Sequence, residues 1–254
     1  MKTRLHNLLA LLLLAFAVQV QASAPIAQSL HEFRTDGYRA ATYLLIDNNL
    51  FERIRDPSNQ ESYNAALSSM QQQLQLMNDP AELRAPFNEL TSLIRELENQ
   101  STEEAHYHLA TINRIMMAHA NLDKAAAALY ATQAADLSET LQSLNQQSLD
   151  ISQILLLYQN NMFSSIGVYF IEPGEKLFQN IDARIIGRSD TLKTLLPSMN
   201  TTLNELDKQY RFIQPRLINH MSDWVPSIAA FYLLRNVETL NDISRDQLRL
   251  SQAS

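Results

Sequence analysis

The stretch Leu83-Arg84-Ala85-Pro86-Phe87-Asn88-Glu89-Leu90-Thr91-Ser92-Leu93-Ile94-Arg95-Glu96-Leu97 decides the fold. Leu83, Phe87, Leu90, Ile94 and Leu97 recur at alternating spacings of four and three. A helix carries such residues on one narrow apolar stripe, the seam by which helices pack in bundles at shallow angles. The same rhythm runs upstream through Tyr63, Leu67, Met70, Leu74 and Met77. Downstream it runs through Leu192, Leu196, Met199, Leu203, Leu206, Tyr210 and Ile213. With four Gly in 254 residues, few aromatics and much Leu, Ala, Gln and Asn, the chain reads as all-α.

Punctuation between the stripes agrees. Asp79-Pro80-Ala81-Glu82 predicts an N-cap, a Pro at the first helical position and an acid at the third. Ser58 with Glu61, and Ser101 with Glu104, read as capping boxes. Asp56-Pro57 and Glu172-Pro173-Gly174 read as breaks between helices. Neither Pro nor Gly occurs between Pro86 and Gly167. That favours one nearly continuous helix from about Glu103 to Asn161, roughly 90 Å long. The alternative is a turn near Ala131–Asp136.

The two halves resemble each other. Tyr43-Leu44-Leu45-Ile46-Asp47-Asn48-Asn49-Leu50-Phe51 lines up with Leu155-Leu156-Leu157-Tyr158-Gln159-Asn160-Asn161-Met162-Phe163. Phe87-Asn88-Glu89-Leu90 meets Leu203-Asn204-Glu205-Leu206. Ile112-Asn113 is similar to Ile218-Asn219, and Ala127-Ala128-Leu129-Tyr130 to Ala229-Ala230-Phe231-Tyr232. The expectation is two related four-helix-bundle-like halves, 23–131 and 132–254, stacked end to end along a long connecting helix.

Residues 1–22 read as a signal peptide. Lys2 and Arg4 form a basic start, Leu8 to Val18 is almost purely Leu and Ala, and small residues around Ala22 fit a cleavage site. The expected location is periplasmic or secreted, with cleavage near Ala22. Losing Lys2 and Arg4 takes the net charge from −7 to −9, which disfavours nucleic acid as a partner. Zero Cys excludes disulfides and thiolate metal sites.

Little in the chain points to catalysis. Scarce Gly leaves few turns able to form an oxyanion hole, and there is no Gly-rich phosphate loop. His106 and His108 are two apart, so they face different sides of a helix. Glu96 and Glu98 diverge in the same way, and Glu103-Glu104 is ordinary in a helix first turn. His119 and His220 are single histidines, and Met116 and Met117 near His119 read as core filler. The expectation is no enzyme, no metal and no cofactor.

Phe33-Arg34-Thr35-Asp36-Gly37-Tyr38-Arg39 stands out inside the first apolar helix. Gly37 costs up to about 1 kcal/mol relative to Ala there, and it can let a ligand or another backbone come close. Arginine suits planar anion recognition. Arg34 and Arg39, five apart, lie about 140° around a helix. Arg34, Gly37, Tyr38 and Arg39 are therefore the candidate ligand-binding residues, with paired or solvated arginines as the plainer reading. The stretch resembles the N-terminal sensory domain of type IV pili methyl-accepting chemotaxis transducers, the PilJ-type domain. That family opens with a helix bearing two arginines five apart, soon followed by Tyr-Leu-Leu, here Arg34, Arg39 and Tyr43-Leu44-Leu45. Thr35-Asp36-Gly37-Tyr38 departs from the Met-Leu-Ser-Gln usual between the arginines, and the second half keeps only Ile151-Ser152-Gln153. The resemblance implies a small anion as ligand, held between arginines of two subunits in related sensors, and a possible homodimer through the first helix. The expected function is a non-catalytic periplasmic sensory or ligand-binding module acting through a membrane receptor or envelope protein. The alternative is a structural or adaptor protein of the cell envelope or pilus system without a small ligand.

Overall fold

The computed structural model describes residues 2–49, 56–100, 108–164, 176–219 and 224–253, with side chains of 24–49, 56–100, 108–161, 176–219 and 224–253. The Ser101/Glu104 box, the Glu172–Gly174 break, Glu103, His106 and His220 lie outside the described residues. Among the described residues the chain is all-α. The helices are α1 (Lys2–Asp47), α2 (Pro57–Leu76), α3 (Ala81–Glu98), α4 (His108–Gln133), α5 (Glu139–Ser164), α6 (Leu177–Leu195), α7 (Asn200–Ile218) and α8 (Pro226–Ala253). A 3₁₀ turn, Pro197–Met199, precedes α7. None of these helices is long and apolar enough to cross a membrane.

Two helix starts differ from expectation. In α2 the cap is Asp56, whose carboxylate accepts from the Ser58 amide at 2.9 Å, so no Ser58/Glu61 box forms. In α3 the cap is Pro80, whose carbonyl accepts from Leu83 and Arg84. Asp79 sits at φ 51, in the left-handed region, and pairs with Arg84 instead. Asn78 at φ 61 shares that conformation. Two consecutive left-handed residues end α2 sharply, and Asn and Asp are the non-glycine types that tolerate it best.

The long connecting helix is interrupted. α4 ends at Gln133, and the chain turns through 134–138 before α5. Neither Gly nor Pro makes this break. Ser138 Oγ accepts from the Leu141 amide, and the Gln142 side chain donates to the Leu137 carbonyl at 2.9 Å, satisfying groups that a helix end leaves open. Ala134, Leu137 and Leu141 are buried with Ala27 and Leu248, so the turn itself is packed between α1 and α8.

One apolar cluster unites residues of α1 to α4, centred on Leu30, Phe33, Met70, Leu74, Leu83 and Ile115. A second unites α5 to α8, centred on Tyr158, Ile185, Leu203, Ile213 and Leu233. The clusters are not stacked end to end. α1 packs along α4, α5 and α8 as well as α2. Ile46 of α1 joins the second cluster, and Leu149 and Leu156 of α5 join the first. His31 meets Ser148, and further along Tyr38 meets Gln153, so α1 and α5 run parallel, side by side.

Two of the four matched patches fall at corresponding places on corresponding helices. Tyr43–Asp47 and Leu155–Phe163 close α1 and α5, and Phe87–Leu90 and Leu203–Leu206 lie on the buried stripes of α3 and α7. The other two do not correspond. Ala127–Tyr130 is near the end of α4 but Ala229–Tyr232 opens α8, and Ile112 opens α4 while Ile218 ends α7.

Gly187, on the exposed face of α6, offers a direct test of helix propensity. A Cβ there would meet nothing within 4 Å. Gly187→Ala should therefore stabilise the protein by about 0.5–1 kcal/mol, read from the midpoint of urea unfolding.

Candidate ligand cleft

The four residues singled out by sequence separate into two environments. Arg34 points into the first cluster, where Nε and Nη2 donate to Asp123 of α4 at 2.7 and 3.2 Å. Tyr38 donates to the same carboxylate at 3.0 Å and accepts from Gln153. Burial, with Asp123 beside it, pushes the Tyr38 phenol up. Gly37 explains itself by packing: a Cβ would lie 3.4 Å from both His119 Nε2 and the Met70 methyl. His119 stacks edge-on to Tyr38 at 4.8 Å, and burial holds it below the usual histidine range. Its Nε2 has no hydrogen-bond partner among the described residues.

Arg39 faces elsewhere. It reaches toward Glu238 of α8 at 3.6 Å and remains about one-third exposed. Within the chain, therefore, Arg34 and Arg39 do not converge on one ligand. Arg34 is neutralised in the interior, while Arg39 borders a cleft of about 170 Å3 between α1, α2 and α8. α1 supplies Glu32, Thr35, Asp36 and Arg39, α2 supplies Ser69, and α8 supplies Leu234, Val237, Glu238, Asn241 and Arg245. These α8 positions recur at spacings of three and four, which aligns them along one face.

The cleft charges are unequally matched. Arg245 is held by Glu32 at 2.9 Å and by Asp242. Glu32 also accepts from Gln28 at 2.9 Å and Gln73 at 3.2 Å. Asp36 forms no ion pair among the described residues and receives a hydrogen bond from Ser69. Burial pushes its carboxyl up to about 6, against the opposing pull of Ser69, Arg39 and Arg245.

Beneath the cleft runs a buried polar seam. His31 Nε2 lies 2.9 Å from both Asn241 Oδ1 and Ser148 Oγ. Asn241 donates to Thr35 at 3.1 Å, and Ser244 Oγ lies 2.9 Å from Gln28 and 2.8 Å from Asn145. Burial lowers His31 to about 4, so the ring is neutral at pH 7. A neutral ring carrying its proton on Nε2 donates to Asn241, while Ser148 passes its own proton to the Asn145 carbonyl at 3.1 Å. A Ser–His contact of this kind invites a catalytic reading. Ser148 is wholly buried, however, and the nitrogen that would serve as base is already a donor. The arrangement ties α1, α5 and α8 together.

A second charged knot lies in the second cluster, where the fully buried Asp150 accepts from Arg184 at 2.8 Å and Arg188 at 2.7 Å. No group of three or more His, Asp or Glu side chains suited to a metal ion occurs among the described residues. Neither Arg245 nor Asn241 stands out in the sequence. In Asn241-Asp242-Ile243-Ser244-Arg245-Asp246 the charges read as an ordinary solvated helix face, and only packing against α1 separates them.

Comparison of the chain with protein-family models, curated proteins and solved structures finds no match.

Proposed function

We propose that the chain is a non-catalytic, exported helical module that binds a small polar ligand in the α1/α2/α8 cleft and acts through a membrane receptor partner. The observation that carries this reading is the position of Arg39. It is the accessible member of the arginine pair, and it shares a solvent-open cleft with Arg245 across the boundary between the two apolar clusters. A ligand seated there touches α1 and α2 on one side and α8 on the other. Its contacts would differ between arrangements of the two helix groups, and occupancy can shift an equilibrium only through such a difference. Export follows from the Met1–Ala22 pattern, and the sensory role from the likeness of Arg34–Leu45 to PilJ-type domains. A small anion on Arg39 is the simplest occupant.

The test is a thermal-shift screen of residues 23–254 against nitrate, acetate, phosphate and small metabolites. A true ligand at a hundredfold excess over its Kd adds about 2.7 kcal/mol of stability. That gain should vanish in Arg39→Ala/Arg245→Ala. A gain that survives both substitutions rules out the cleft.

The adaptor reading has its own support. Phe212 on α7, Ile228 and Phe231 on α8, and Trp224 just before α8 are exposed, and Arg216 and Arg235 stack on the Phe212 and Phe231 rings at 5.5 and 5.1 Å. Exposed apolar patches of this sort mark protein contacts. Silence in the ligand screen together with capture of a defined envelope protein, lost in Phe231→Ser, would favour it.

A further inference from the structure

We infer that the cleft selects a small zwitterion of the amino-acid type, carrying a carboxylate and an ammonium, over a bare anion. The inference rests on the ligand-binding reading above and names the ligand class.

A bare anion fits the cleft poorly. Three carboxylates, Glu32, Asp36 and Glu238, border it against two guanidinium groups. One of those, on Arg245, is already engaged by Glu32 and Asp242. Arg39 is left as the guanidinium with room for a partner, since its contact to Glu238 is long at 3.6 Å and open to water on both sides. Surface pairs of that geometry are worth about 1 kcal/mol or less, so a ligand carboxylate displaces Glu238 at little cost.

The opposite end is defined by Asp36. Its carboxyl is partly buried, bordered by the cleft and matched by no cation in an ion pair among the described residues. Burial, with Glu32 nearby, pushes it up to about 6 despite Ser69, Arg39 and Arg245. A ligand ammonium between Asp36 and Glu238 supplies the missing countercharge. Asp36 and Arg39 are three apart on one helix face, about 5–6 Å between Cβ atoms, a span that the two charged ends of an α-amino acid can bridge. The ligand needs no hydrophobic anchor, because the floor is Thr35, Ser69 and Asn241 with Leu234 and Val237 at one side. A cleft of about 170 Å3 suits the smaller amino acids.

Isothermal titration of residues 23–254 at pH 7.5 separates the possibilities, using glycine, alanine and serine beside acetate and methylammonium. The amino acids should bind at least about tenfold tighter than either single-charge compound, a difference of about 1.4 kcal/mol. Asp36→Asn should remove that preference without weakening acetate, and Arg39→Gln should weaken both. Asp36→Asn removes a charge that burial disfavours, so it should fold, as circular dichroism will register. Acetate binding as tightly as the amino acids overturns the inference while leaving the cleft as an anion site. Methylammonium binding as tightly overturns it in favour of a cation site. No binding by any compound, with the folded variants intact, removes both the inference and the cleft reading beneath it.

Discussion

Asp123→Ala should destabilise the protein by about 3–5 kcal/mol, the largest effect expected of any single polar substitution here. Asp123 is the partner that neutralises Arg34, and the guanidinium it holds is 9% exposed. Without the carboxylate, a largely buried charge remains at the first cluster without its counterion, and the Tyr38 hydroxyl loses its acceptor as well. For a chain of this size the loss corresponds to a fall in Tm of about 10 °C. Replacing both partners together, as in Arg34→Met/Asp123→Leu, should recover most of it. Apolar side chains of similar volume often substitute for a buried ion pair without penalty. Thermal denaturation of the single and double variants checks both statements. Equal stability of single and double variants would mean that Arg34 reaches water when Asp123 is gone. Asp150 makes a useful contrast: it is more buried than Asp123, but Arg184 is 45% exposed and could solvate itself after the loss.

Acidification supplies the second large effect. His31 is held down to about 4 inside the seam, whereas in the unfolded chain it takes a proton near 6.5. Its contribution is therefore complete above pH 6.5 and is lost as pH falls toward 4, on the order of 3 kcal/mol in all. His119, also lowered by burial, works in the same direction. Asp36 opposes them. Its folded carboxyl, up near 6, takes a proton before the unfolded one does, so its contribution grows as pH falls from about 6 toward 4. The native protein should thus show a shallow decline in Tm between pH 6.5 and 4.5. Asp36→Asn should steepen it, and His31→Gln on that background should flatten it again. Parallel Tm–pH curves for native protein and Asp36→Asn would refute the assignment of Asp36.

Helix positions were legible because their signal is local. Leu83, Phe87, Leu90, Ile94 and Leu97 are all buried, as are Tyr63, Met70, Leu74 and Met77. The turn at 134–138 was less so, since Ala134 and Leu137 are good helix formers, and what favours the break is burial against Ala27 and Leu248 far away in the chain. Packing side by side rather than end to end escaped for the same reason. Helix stripes specify which face is buried, not which of several similar faces it meets. The arginine stretch was recognisable as unusual, but spacing alone could not separate Arg34 from Arg39. Asp123 and Glu238, which part them, lie 89 and 199 positions along the chain from their partners. Arg245 and Asn241 carry no local signature at all. Their role arises only where α8 lies against α1.

That last contact bears on how the protein is made. Gln28, His31 and Thr35 find their partners Ser244 and Asn241 more than 200 positions later. A ribosome releases α1 long before α8, so a growing chain carries polar groups on α1 whose mates do not yet exist. Closing so large a loop adds little entropy cost beyond a moderate one but delays the reward until the end. Apolar packing of α1 on α2 to α4 needs nothing from α8, so the polar seam is the part of the fold that closes last.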